Sequence, residues 1–115
     1  MVYNGHTKTC GLIGNPVEHT YSPLMHNYLA EETNTNMVYV PFRVEKDKVE
    51  EAVKGAFALN LLGCNVTVPH KSAVIPYLVD IDPLAKRIGA VNTLVRQENG
   101  FKGYNTDMPG LYRAM

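Results

Sequence analysis

The sequence predicts an α/β domain: an open, twisted, mixed but mostly parallel sheet flanked by helices, closing on one antiparallel terminal hairpin. Three observations predict it. Short apolar runs rich in β-branched residues alternate with amphipathic stretches of helical period. The runs stop at Gly, Pro and Asn turns. Near the end, Glu98-Asn99-Gly100 separates two strand-like runs, a hairpin signature. A length of 115 residues suits one domain with a single core.

Residues 1–7 are polar. Thr9 to Ile13 reads as a buried strand closing on the turn Gly14-Asn15-Pro16. After a hydroxyl-bearing loop, Ser22 suits an N-cap and Pro23 the first helical position. Leu24, Met25, Tyr28 and Leu29 then form an apolar stripe at helical spacing, ending near Thr33-Asn34. Met37 to Val44 reads as a second strand with Val38, Val40 and Phe42 on one face, and Pro41 favours a position near an edge or a bulge. Lys46 to Leu59 is an amphipathic helix presenting Val49, Ala52, Val53, Ala56 and Phe57 to the sheet.

The next strand, Gly63 to Val68, alternates: Asn65 and Thr67 share one face, Cys64, Val66 and Val68 the other. Pro69 stops it, and a helix is expected from about His70 to Leu78, with Lys71 in its first turn. Asp82-Pro83 starts a short helix that Gly89 ends. Ala90 to Val95 is strand-like and turns into Phe101 to Tyr104. Thr106 or Asp107 caps a last helix with Pro109 in its first turn, and its early stop at Met115 suggests a longer parent chain.

Eleven basic and eleven acidic residues cancel, so no charge footprint points to nucleic acid or an anionic membrane. A hydrophobic content of 45% argues against disorder. No apolar run approaches a membrane span, and the N-terminus lacks the layout of a secretory signal. Cys10 and Cys64 read as free thiols of a reducing cytoplasm. The four histidines show no zinc-ligand spacing, so no metal site is expected.

Strand ends and turns carry polar side chains that periodicity does not require: Thr20, Ser22, Asn65, Thr67, Asn92, Thr93, Asn105, Thr106 and Asp107. Hydroxyls and amides in such places suit a small ligand bearing hydroxyls and a carboxylate, bound at the C-terminal edge of the sheet. Each also has a plainer explanation. Ser22 caps a helix, Thr67 is an ordinary β-branched strand residue, Asn92 closes a turn, Asn65 bonds a neighbouring loop, and Asp107 complements a helix dipole. Lys71 and Asp107 are the pair with possible chemistry. At a helix's first turn the dipole eases loss of an ammonium proton, and a carboxylate would orient it for general acid/base work. The alternative is two unrelated surface charges.

Four motifs then occur in order. They are Gly14-Asn15-Pro16 with His19-Thr20-Tyr21-Ser22-Pro23-Leu24-Met25-His26-Asn27, and Asn65-Val66-Thr67-Val68-Pro69-His70-Lys71. Ile88-Gly89-Ala90-Val91-Asn92-Thr93-Leu94 and Gly103-Tyr104-Asn105-Thr106-Asp107 complete the set. With them, from about Thr9 to the end, the sequence resembles the N-terminal, substrate-binding domain of shikimate dehydrogenase.

That resemblance implies NADP-dependent, reversible reduction of 3-dehydroshikimate to shikimate, a step toward chorismate and the aromatic amino acids. It implies Lys71 as catalytic acid/base and Asp107 as its partner, which also binds substrate. Thr20 and Ser22 match the hydroxyls that hold the substrate carboxylate. Thr67, Lys71, Asn92 and Asp107 match the residues around the ring hydroxyls, with Asn65 in support. Thr20 replaces the more common serine, which bears on the choice between shikimate and quinate. Met108-Pro109 replaces a glycine-containing helix start.

No Gly-x-Gly-x-x-Gly occurs anywhere. The resemblance therefore implies that NADP is bound by a C-terminal domain absent from this chain, and that residues 1–115 alone are catalytically incomplete. Two alternatives stay open: a quinate/shikimate dehydrogenase domain of broader specificity, and a non-catalytic small-molecule binding module of the same fold.

Overall fold

In the computed structural model, which describes residues 3–17 and 22–106 apart from the Ser22 side chain, six strands form one sheet. The strands are β1 (Lys8–Gly14), β2 (Met37–Arg43), β3 (Gly63–Val66), β4 (Asp80–Ile81), β5 (Thr93–Arg96) and β6 (Phe101–Tyr104). Their order is β2-β1-β3-β5-β6-β4. β1 pairs in parallel with β2 and β3, and β4 with β6. The β5–β6 hairpin is antiparallel and joins the parallel part through an antiparallel β3–β5 contact. The mixed sheet is the expected one, and Pro41 lies on an edge strand as its missing N–H requires.

Among the described residues three α-helices, α1 (Ser22–Glu32), α2 (Val49–Ala58) and α3 (Pro83–Ile88), flank the sheet. α2 follows a 3₁₀ turn at Lys46–Lys48 and buries Val49, Val53 and Ala56, the stripe its periodicity marks. These residues pack with Ile13, Cys64, Val66, Val74, Ala85, Val91, Leu94 and Phe101 in the main core. α3 shows both end signals: the Asp82 carboxylate accepts from Leu84 N–H, and Gly89 ends the helix at φ 79°. Arg96 fastens β5 to the end of α2, donating to the carbonyls of Phe57 and Leu61 with its guanidinium over the Phe57 ring.

α1 forms as expected, but its apolar stripe does not pack. Leu24, Met25, Tyr28 and Leu29 are all more than half exposed. Its inner side is Pro23, His26, Asn27 and Ala30, lying on β2. The His26 ring stacks on Tyr39 with 4.4 Å between centroids. Asn27 binds the Tyr39 backbone twice, accepting from its N–H at 2.7 Å and donating to its carbonyl at 2.9 Å. With Leu12 and Val17, Tyr39 makes a small second core on this face.

Three expectations need correction. No α-helix spans His70 to Leu78: residues 71–74 are turns, and Ile75–Tyr77 is a 3₁₀ helix. Pro76 explains it, having no N–H for the bond to Ser72 that an α-helix needs there. Val68 does not continue the alternation of β3, which stops at Val66, and lies 61% exposed in the turn. The strand expected from Ala90 begins at Thr93, which leaves Asn92 just before it. The two-residue β4 was not predicted. The helix expected after Thr106 lies outside the described residues. Among the described residues no helix is long and apolar enough to cross a membrane.

Candidate functional site

Beyond Val66 the chain turns over the C-terminal edge of the parallel strands. Backbone bonds fasten the turn to β1: Thr67 N–H donates to Ile13 O at 2.9 Å, and Asn15 N–H to Val68 O at 3.1 Å. Two more bring the approach to β5 alongside. Val66 N–H donates to Asn92 O, and Val91 N–H to Lys71 O, both at 2.8 Å. Asn65 and Thr93 are register partners on one face. The fold thus gathers Asn65, Thr67, Lys71 and Asn92 at one edge of the sheet. Thr20, the Ser22 side chain and Asp107 lie outside the described residues.

The four are engaged differently. Thr67 Oγ1 and Asn65 Nδ2 are half-buried and make no hydrogen bond among the described residues, so both remain available to a ligand. Asn92 is largely occupied. Its Oδ1 accepts from Thr93 Oγ1 and Thr106 N–H, both at 3.0 Å, and its Nδ2 donates to Thr106 Oγ1 at 3.1 Å. Within the chain Asn92 ties the start of β5 to the residues after β6. Lys71 is half-buried, and with no helix starting there the dipole argument for its chemistry does not apply. Its backbone is held from the preceding residue, since His70 is 1% exposed and its ring Nε2 donates to the Val44 carbonyl.

Sequence reasoning missed Tyr39. It is 4% exposed, and its hydroxyl donates to Asn65 Oδ1 at 2.9 Å. Burial first, then the neighbouring Cys64 and Cys10 thiols, pushes the phenol up to about 12. The available signal was the one tyrosine of β2, on the face opposite Val38, Val40 and Phe42: a buried tyrosine usually finds a partner for its hydroxyl. The same burial pushes Cys64 up to about 12 and raises Cys10, so neither thiol is poised as a nucleophile.

A cavity of about 280 Å³ borders Asn65, with His26, Tyr39 and Thr93 in its wall. Another, of about 320 Å³ between α2 and the β1–β2 edge, is mostly apolar and touches none of the gathered residues. Among the described residues no group of three His, Cys, Asp or Glu could hold a metal. The turn after β1 is not built for a dinucleotide. The pyrophosphate needs an open glycine-rich strand-to-helix turn, whereas a Cβ at Gly14 would lie 2.3 Å from Thr67 Cγ2.

Comparison with known proteins gives a consistent picture. Residues 12–94 match the family model described as shikimate dehydrogenase substrate binding domain. The chain is 52% identical over 112 residues to the shikimate dehydrogenase (NADP(+)) of Desulforamulus reducens, covering 97% of this chain and 38% of that protein. It superposes with a TM-score of 0.92 on shikimate 5-dehydrogenase from Listeria monocytogenes in complex with shikimate and NAD, at 38% identity, covering 97% of this chain and 39% of that one. A shikimate dehydrogenase solved with NADP+ gives a TM-score of 0.93 at 45% identity, with coverage of 98% and 39%. The chain therefore spans little more than a third of the length of these relatives.

Proposed function

Because the chain belongs to the shikimate dehydrogenase substrate-binding domain family, we propose that it forms the substrate-holding and proton-transferring part of an NADP-dependent shikimate dehydrogenase. The reaction is the reversible reduction of 3-dehydroshikimate to shikimate, in the cytoplasm. The observation that carries this reading is a pair of polar groups with no hydrogen bond among the described residues, Asn65 Nδ2 and Thr67 Oγ1, beside Lys71 at the edge where α/β sheets bind ligands.

In this reading Thr20 and Ser22 hold the carboxylate, and Thr67 and Asn92 meet ring hydroxyls. Lys71, with Asp107 as its partner, gives a proton to the ketone oxygen as that oxygen becomes a hydroxyl, and takes it back in the reverse direction. NADPH, held by a domain outside residues 1–115, would supply the hydride.

The test is to express the full reading frame that carries these residues and follow shikimate-dependent reduction of NADP, with quinate assayed alongside. Lys71→Ala should lower kcat by about 10²–10⁴-fold with little change in KM. The 115-residue chain alone should turn over no NADPH. An inactive full-length protein, or a Lys71→Ala variant with intact kcat, overturns the proposal.

A further inference from the structure

We infer that Tyr39 is a positioning residue: its buried hydroxyl holds the Asn65 amide so that Nδ2, the donating end, faces the ligand. The inference rests on reading this edge of the sheet as the substrate site. Tyr39 sits on β2 and Asn65 on β3, with β1 between them, so the phenol reaches across roughly 10 Å of sheet. Cys10 is the register partner of both Tyr39 and Gly63, which puts Asn65 two residues further along, on the same face.

The tyrosine is held from behind. Asn27 binds its backbone N–H and carbonyl, and the His26 ring lies flat on its ring at 15° between planes. This leaves the hydroxyl little freedom. A hydroxyl can both donate and accept, so the direction of its bond to Asn65 needs a reason. Among the described residues Asn65 Oδ1 is its only hydrogen-bond partner. Turning the amide over would let Nδ2 donate to the phenol oxygen but strand the phenol proton without an acceptor in a buried place. That is the costly arrangement. Burial also keeps the phenol protonated far above neutral pH, so the donor persists.

Asn65 therefore offers the ligand a donor at Nδ2 and recognises an oxygen lone pair, as of a hydroxyl, ketone or carboxylate. α1 thereby acts on Asn65 at one remove, through Asn27 and His26 holding Tyr39.

The test uses the full-length protein with Tyr39→Phe, Asn65→Ala, the double variant and Asn65→Asp. Tyr39→Phe should raise the KM for shikimate about 5–10-fold, equivalent to about 1 kcal/mol of binding, and leave kcat within about twofold. Because both changes remove one arrangement, the double variant should bind no more weakly than Asn65→Ala alone. Asn65→Asp keeps the acceptor for Tyr39 but replaces the donor, and should also lose affinity. Additive effects, or wild-type affinity in Asn65→Asp, would overturn the inference. A ligand-free crystal structure of Tyr39→Phe should show Asn65 leaving its rotamer; an unmoved Asn65 overturns the inference whatever the protein does with shikimate. A wild-type protein that neither binds nor oxidises shikimate would instead overturn the functional reading, and the ligand-free structure then decides the inference alone.

Discussion

Helices α1 and α2 lie on opposite faces of one sheet, and both carry an apolar stripe at helical spacing, yet only α2 buries its stripe. Val53 of α2 is 2% exposed, while Leu24 of α1 is 73% exposed. What turns α1 is its partner. Tyr39 has backbone groups that only a side chain such as Asn27 satisfies, and a ring that stacks on His26. Pro23, His26, Asn27 and Ala30 recur at helical spacing too, and that is the side that packs. Periodicity shows that a helix has two sides; the polar needs of the strand beneath decide which one meets the sheet.

Three experiments break or sharpen this contrast. The largest effect belongs to the α2 face. Phe101→Ala, at a residue 1% exposed in the main core, should cost about 3–5 kcal/mol in urea unfolding. A loss below about 1 kcal/mol would mean that this face is not the stabilising one.

A second experiment draws on both faces at once. Cys64, on the α2 face, rises from 9.0 to about 12, and Tyr39, on the α1 face, from 10.0 to about 12, in both cases chiefly through burial. The folded chain thus keeps protons that the unfolded chain gives up. Stability is complete below pH 9 and is lost as pH rises toward 12. The melting temperature should fall by more than about 5 °C across that window. Cys64→Ala and Tyr39→Phe should each flatten the fall. A constant melting temperature, or variants that follow the wild-type curve, would contradict the buried placement of these groups.

The smallest effect should come from Leu24→Gln and Leu29→Gln on α1, each within about 0.5 kcal/mol of wild type in the same urea titration. A cost of 2 kcal/mol at either position would show that the α1 stripe contributes to this domain after all.

Much of the fold was legible because its signals are local. Pro41 marked an edge strand, Asp82 and Gly89 marked both ends of α3, and Glu98-Asn99-Gly100 marked the hairpin. Pro76 was equally visible inside the expected helix at His70 to Leu78, and giving its missing N–H full weight would have removed that helix. The two residues of β4 carry too little pattern to read, and exist because β6 offers Asp80 and Ile81 a pairing edge.

The site divides the same way. Alternation along β3 put Asn65 and Thr67 on one face, and among the described residues a donor on each stays unengaged. The Tyr39–Asn65 bond joins residues 26 apart in sequence on strands that are not even neighbours, so no local pattern announces it. Asn92 shows the converse. Its residue type marked it for a ligand, while its main hydrogen bonds within the chain run to Thr93 and Thr106.

The two bonds from Asn27 to the backbone of Tyr39 have one more effect, on how copies of this chain behave in company. β2 is an outer strand, and its outward N–H and C=O groups are what an incoming strand would zip onto. At Tyr39 both are already taken by the Asn27 amide, which stands in for a seventh strand one residue long. Two residues on, Pro41 has no N–H to give, and two residues back Met37 N–H is turned onto Thr35 O at 2.9 Å. Three successive outward positions thus have no N–H free for an incoming strand. Asn27 thus covers part of an exposed strand edge, as well as binding α1 to β2.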